Sequence, residues 1–325
     1  MDFHWLGTYS STMKYELRNS RFELASRRNQ VSLREIVKWQ FSGSRQKWPH
    51  HVENKPYPPP PVCVEDSRIA ATWIGHSTVL LQTQGLNILT DPFFSKRASP
   101  VQWLGPARTR QPGIALDHLP PLDLIFLSHS HYDHMDKPAL RWLAKNQKAK
   151  LITPLRNASQ AKGFETVELD WHHSHRHAHA TITILPALHW SKRTFSDTNK
   201  SLWGAFHIEL PAGSIYFGAD TGFGTGESFR QVKDRFGSPR LSLLPIGAYE
   251  PRWLMAPQHM NPQEAVQAHQ LLGSKQSLAI HHGTIQLTDE AMEAPVQALD
   301  EALADINLSR KDFLVPDIGE TVWIG

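Results

Sequence analysis

The segment Ser128-His129-Ser130-His131-Tyr132-Asp133-His134 places four metal-ligand side chains within six residues, directly after the apolar run 122–127. Residues two apart in an extended chain point the same way, so His129 and His131 can grip one cation. Where the chain turns, Asp133 and His134 point elsewhere and can grip a second. Burying such a set without a cation is costly; a solvated histidine-rich loop is the bland alternative. Asp136 then reads as a helix cap, with Pro138 tolerated in the first turn.

A two-cation centre needs more ligands than one loop supplies, and later strand ends offer them. His189 follows the run 181–188, Asp220 follows 214–219, and His281 follows 278–280. Functional side chains of α/β sheets gather beyond the carboxyl ends of strands. Asp220 can offer one oxygen to each of two cations. Such a pair lowers the pKa of a shared water and polarises the bond under attack, so no serine or cysteine nucleophile is required. Two zinc ions suit this nitrogen and oxygen set, which also accepts manganese or iron. Cys63 lies before the core and has no evident activating base.

The elements that must position these residues are short. Apolar runs at 71–73, 78–82, 86–90, 122–128, 150–153, 181–185, 214–218, 241–245 and 277–280 read as buried strands. Helical patterns fall at 137–145, 227–236, 262–272 and 289–306, the last with Met292, Val296, Leu299 and Leu303 at core spacing. Hairpin spacing first and strand–helix alternation later predict a layered α/β fold. Residues 1–66 form a polar lead-in with a helix expected over 32–39 and a stiff Pro58–Pro61 run, and 67–325 form the catalytic domain. The lead-in reads as an arm wrapping the domain. The sharper alternative is a lipid-interface segment built on Trp39, Phe41 and Trp48 with Arg21, Arg45 and Lys47.

Composition narrows the classes. The 325 residues carry 34 Lys+Arg against 31 Asp+Glu, a net +3 that is too diffuse for nucleic-acid binding. No run approaches the roughly 18–20 apolar residues of a membrane span, and the N-terminus lacks a signal-peptide pattern. One cysteine permits no intramolecular disulfide, which predicts a cytoplasmic location. Histidine is abundant at 19 residues. A second cluster, 172–179, would put His173, His175, His177 and His179 on one strand face, but nothing shields them and we assign it no chemistry. The glycines of 222–226 lack both the dinucleotide fingerprint and a P-loop lysine.

The segment 129–134 resembles the HxHxDH signature of the metallo-β-lactamase superfamily. Within it the chain resembles N-acylphosphatidylethanolamine-hydrolysing phospholipase D and its bacterial relatives. The residues carrying this are 73–78, 89–92, 186–190, 244–253 and 279–284, with Lys38-Trp39-Gln40-Phe41 similar to that family's lead-in. The resemblance implies an αββα sandwich of two mixed sheets flanked by helices. It implies one metal on His129, His131 and His189, a second on Asp133, His134 and His281, and Asp220 as the bridge. It further implies Asp91 as an orienting partner of a ligand imidazole and His259 as a proton donor or phosphate contact. Tyr249 and Arg252 are candidate substrate contacts, although Arg252 could equally pair with Glu250 or another acid. His282 stands where the family usually has Trp, leaving two adjacent histidines as candidates for the last ligand; the family register favours His281. The implied activity is phosphodiester hydrolysis on a lipid or small-molecule substrate, compatible with peripheral membrane contact and with oligomerisation. A lactonase similar to those opening L-ascorbate-6-phosphate, and a non-catalytic metal- or lipid-binding module, are the alternatives.

Overall fold

Short β-branched and leucine-rich runs cut by turns give strands rather than helices. The computed structural model describes residues 13–24, 38–39 and 45–325. An N-terminal hairpin joins β1 (Tyr15–Arg18) to β2 (Arg21–Leu24). The first large sheet holds β3 (Ile69–Gly75), β4 (Thr78–Thr83), β5 (Leu86–Thr90), β6 (Leu124–Phe126), β7 (Lys150–Pro154) and β8 (Thr166–Leu169). The second holds β9 (Ser174–His177), β10 (Ala180–Leu185), β11 (Ala205–Leu210), β12 (Gly213–Phe217), β13 (Leu241–Pro245), β14 (Gln276–Ile280) and β15 (Phe313–Leu314). Then β16 (Thr321–Ile324) returns to the first sheet beside β3, making both sheets seven-stranded.

Each sheet is half antiparallel and half parallel. Strands β3, β4 and β5 pair antiparallel while β5 to β8 run parallel. In the other sheet β9 to β12 alternate and β12 to β15 run parallel. It follows that β3, β5 and β6 point one way, as do β10, β12, β13 and β14. Their carboxyl ends therefore collect at one edge of each sheet.

Side-chain alternation builds the layers. Val79 and Leu81 of β4 and Leu124 and Phe126 of β6 enter a central core with Ile182, Phe206, Phe217, Leu243 and Ile280 of the facing sheet. The rings of Phe126 and Phe206 stack across it, 4.7 Å between centroids. Leu80 and Ile125, one residue out of phase, pack on Leu140 and Leu143 of α1 (Lys137–Asn146). On the far side Leu244 and Ala279 meet Phe229 of α2 (Glu227–Phe236), Val266 of a later helix and Leu299 of the last. A short α3 (Arg252–Met255) precedes those two, α4 (Pro262–Leu272) and α5 (Ala294–Ala304). The architecture is an αββα sandwich of two mixed sheets. Asp136 caps α1, accepting the Ala139 N–H, and also takes the Phe94 and Ser95 N–H groups, so it ties the 93–95 loop to the helix.

Three expectations are corrected. The last helix begins at Ala294 rather than 289, because Glu290 is withdrawn to accept the backbone N–H groups of Ala248 and Glu250 at 2.6 and 3.1 Å. Strands β1, β2, β8, β11, β15 and β16 were not expected; β11 carries His207 and Glu209, which break the apolar run. Only His175 and His177 of the second cluster lie in β9, because Ala178 turns the chain at φ +49° before His179.

The helix expected over 32–39 lies outside the described residues except Lys38 and Trp39, as does Phe41. Elsewhere the lead-in is bonded to the domain. Phe22 and Leu24 enter the central core, and Tyr15 Oη donates to Asp170 at 2.7 Å. Trp39 Nε1 donates to Asp289, Trp48 Nε1 to the Glu290 carbonyl and Arg45 to the Leu287 carbonyl. The Arg21 guanidinium reaches the Ser196 and Thr198 carbonyls.

Candidate metal centre

Six strand ends deliver the site. Asp91 leaves β5, and residues 128–134 leave β6 and turn into α1. His189 follows β10, Asp220 follows β12, His281 follows β14, and the segment after β13 leads to His259. Asp91, Ala219, Ala248 and His281 all take left-handed backbone, φ +30°, +49°, +60° and +61°. Such strain persists only where the surroundings over-determine it, and it clusters at functional sites.

Two sockets result. His129 Nε2 and His189 Nε2 lie 2.9 and 3.1 Å from His131 Nδ1, so three imidazole nitrogens converge on one point. Next to it, His134 Nε2 lies 3.3 Å and His281 Nε2 3.5 Å from Asp133 Oδ2. Asp220 stands between them. Its Oδ2 is 3.6 Å from His189 Nε2 and 3.2 Å from His134 Nε2, and its Oδ1 is 3.2 Å from His281 Nε2. Among the described residues, Asp220 Oδ1, His134 Nε2 and His281 Nε2 are buried without an aligned hydrogen bond. Orphaned buried polar atoms are expensive, and this convergence of imidazole and carboxylate donors fits divalent cations.

A supporting layer fixes the imidazoles. Asp91 Oδ2 lies 2.6 Å from both His134 Nδ1 and Ser128 Oγ, and Asp91 Oδ1 accepts the Ser128 N–H at 2.7 Å. Ser128 Oγ in turn sits 2.8 Å from His129 Nδ1. One carboxylate thus braces a ring in each socket. His189 Nδ1 donates to the Gln258 carbonyl at 3.1 Å. These bonds leave the opposite ring nitrogens to face inward, as metal-binding histidines require.

The electrostatics separate the two sockets. Burial pushes His129 and His189 well below the usual histidine range and His131 down to about 4, so that socket is neutral nitrogen. Burial also opposes charge on His134 and His281, but carboxylates outweigh it. Asp220, Asp133 and Asp91 hold His134 well up, and Asp220 with Asp133 holds His281 up at about 9. Despite burial, the same imidazoles keep Asp133 and Asp220 far below the ordinary carboxylate range.

Other sequence candidates fall around this pair. His259 lies beside it, ring centroids 5.2 Å from His189 and 5.4 Å from His281, with Nδ1 unpartnered among the described residues; burial lowers it to about 4. His282 turns away and stacks on Trp73 at 4.6 Å, so only His281 of the adjacent histidines faces the carboxylates. Tyr249 is buried. The Arg252 guanidinium is engaged by Glu264 at 2.7 Å and the His259 carbonyl at 3.0 Å; Glu250 instead accepts the Arg252 backbone N–H. Gly222 touches the Ala256 and Pro257 carbonyls, where a Cβ would fall 2.9 Å away, so the glycine loop serves close packing. Among the described residues, no cluster able to hold an ion includes 172–179.

Sequence reasoning missed His76. It is buried, and its Nε2 lies 2.9 Å from Asp133 Oδ2. The signal was available, since His76 directly follows β3 and occupies a carboxyl strand end like the other site residues.

A family profile described as the Beta-lactamase superfamily domain matches residues 86–282, and the chain belongs to that superfamily. It is a metal-dependent hydrolase with the metallo-β-lactamase fold. Among its relatives, N-acyl-phosphatidylethanolamine-hydrolyzing phospholipase D 1 of Caenorhabditis elegans is 38% identical over 273 residues, covering 79% of this chain and 76% of the relative. The Saccharomyces cerevisiae protein named N-acyl-phosphatidylethanolamine-hydrolyzing phospholipase D, mitochondrial, is 34% identical over 80% of this chain; the match spans 58% of the yeast protein. Of solved structures, the metallo hydrolase Igni18 from Ignicoccus hospitalis superposes with a TM-score of 0.59 at 20% identity, over 80% of this chain and 99% of Igni18. That likeness speaks for the fold alone.

Proposed function

We propose that the protein is a dinuclear zinc phosphodiesterase of the phospholipase D type, acting on N-acylated phosphatidylethanolamine or a similar lipid. The observation that carries the substrate reading is the 38% identity to a protein named for that hydrolysis. His129, His131 and His189 would hold one ion and Asp133, His134 and His281 the other, with Asp220 shared. A pair of divalent cations supplies Lewis acidity and lowers the pKa of water at the centre.

The chain's own residues do the rest. Asp91 and Ser128 keep ring orientation fixed, and the buried carboxylates stay ionised. Hydrolysis adds water oxygen to phosphorus and breaks the phosphorus–oxygen bond to the N-acylethanolamine, which leaves as an alcohol after taking a proton. His259, with Nδ1 unpartnered among the described residues and its ring beside His189 and His281, is the side chain to relay that proton or to bond the phosphate. Arg252 holds the His259 carbonyl and would act there through His259, with Tyr249 beside it.

Peripheral lipid contact is supported by Trp103, Phe195 and Trp253, which are exposed by 76, 103 and 56%. Trp103 and Phe195 sit on loops and Trp253 on α3, segments that also carry Phe93, Arg193 and Arg252, residues packed on or near the site. No helix among the described residues is long and apolar enough to cross a membrane. The lone Cys63 supports a cytoplasmic setting.

Zinc-loaded protein incubated with N-acylphosphatidylethanolamine should release phosphatidic acid, and His131→Ala should abolish this and lower bound metal. Absence of phosphatidic acid, with turnover of a lactone panel instead, would replace the phosphodiesterase by a lactonase. Two bound ions with no turnover of either panel would favour a binding module.

A further inference from the structure

His76 occupies an unusual place for a buried histidine. It sits in the tight turn between β3 and β4 with φ +57°, and its backbone alone ties that turn to the end of β14. Its N–H donates to Thr284 Oγ1 at 2.8 Å, and its carbonyl accepts from His281 N at 3.0 Å and Trp73 Nε1 at 2.8 Å. The turn is therefore held without the imidazole. The ring is spent elsewhere: Nε2 lies 2.9 Å from Asp133 Oδ2, and the ring packs on His281 at 4.0 Å between centroids. A histidine kept only for packing has no reason to aim a nitrogen at the same carboxylate oxygen that His134 and His281 approach at 3.3 and 3.5 Å.

We infer that His76 is a positioning residue for the second metal position: its Nε2–H donates to Asp133 Oδ2 and fixes the carboxylate rotamer that a cation there requires. This role rests on the two-cation reading above. A carboxylate oxygen with a fixed donor on one side is left one direction for a metal, and outer partners of this kind are worth about 10–100-fold in metal affinity. The arrangement mirrors the Asp91–His134 contact with the roles exchanged, a carboxylate bracing a ring there and a ring bracing a carboxylate here. The two braces enter from different strand ends, β5 and β3, so the second position is clamped from both flanks.

The test compares zinc stoichiometry and affinity, by titration calorimetry and elemental analysis, in wild type, His76→Leu and His76→Gln. Both variants carry the same backbone strain, but only glutamine can place an N–H where His76 Nε2 stands. Wild type should bind two ions. His76→Leu should keep one unchanged and bind the other about 10–100-fold more weakly, and His76→Gln should recover most of that loss. In hydrolysis assays at limiting zinc, His76→Leu should lose kcat with KM little changed, and added zinc should restore it. Two equally tight ions in His76→Leu would overturn the role alone. A folded His76→Gln as weak as the leucine variant would also overturn it, pointing to ligation by His76 itself. Fewer than two ions in wild type would overturn the pair and this role with it. Nitrogen-15 spectra of the zinc-loaded wild type need no substitution: His76 should appear as the Nε2–H tautomer, and a deprotonated Nε2 would refute the assignment.

Discussion

Asp91→Asn tests how far the centre depends on atoms that do not face the cations. Asp91 is fully buried, and one of its oxygens serves both Ser128 Oγ and His134 Nδ1 at 2.6 Å. Asparagine suits the left-handed φ of +30° and can still accept the Ser128 N–H. Its amide nitrogen would then meet His134 Nδ1 donor to donor. Relief requires His134 to give up its Nδ1 proton and keep the one on Nε2, the nitrogen 3.2 Å from Asp220 Oδ2, and a protonated nitrogen cannot bind metal. The expected cost is about 10–100-fold in affinity for the second ion, or about 1.4–2.8 kcal/mol at tenfold per 1.4. The first socket should weaken less, since Asp91 reaches His129 only through Ser128. Zinc titration of the apo-variant should show one tight and one weakened ion, and kcat/KM at low zinc should fall in proportion. A variant that binds both ions as tightly as wild type would refute the tautomer argument.

Three further outcomes are expected. Because Asp220 and Asp133 overcome burial to hold His281 up at about 9, the second socket should carry a proton at neutral pH until metal displaces it. Metal binding must expel protons, so affinity should rise about tenfold per pH unit for each proton released below that value; calorimetry in buffers of different ionisation heat checks this, and affinity flat between roughly pH 6 and 8 would contradict it. A Cβ at Gly247 would fall 2.2 Å from the His281 carbonyl oxygen, so Gly247→Ala should part β13 from β14, cost about 1–3 kcal/mol in denaturant melts and weaken the second ion. Arg252→Ala and Glu264→Gln should lower activity alike, because their pair holds the His259 backbone; a loss confined to Arg252→Ala and to KM would instead mark a direct phosphate contact.

Most of the centre could be read before any coordinates. The 128–134 segment is local: strand, turn and capped helix follow from residues within about ten positions, so the ligand types and their spacing carry their own geometry. The strand-end rule then picks out His189, Asp220 and His281, because apolar runs of buried strands are visible as runs, and the family resemblance adds Asp91. Strands that break the pattern are not. Strand β11 hides behind His207 and Glu209, and the start of α5 is moved by a long-range demand on Glu290 from the amides of Ala248 and Glu250.

What the sequence determined by itself is therefore the chemistry available: imidazoles and carboxylates at strand ends, and a loop with four metal-ligand side chains in six residues. Tertiary structure decided which atoms face each other. That Asp220 lies between two sockets, that His281 faces the carboxylates while His282 stacks on Trp73, and that His76 reaches Asp133 across 57 residues all depend on strand direction and sheet pairing. Those are set by burying two apolar sheet faces against each other, a global packing condition that no short window of sequence contains.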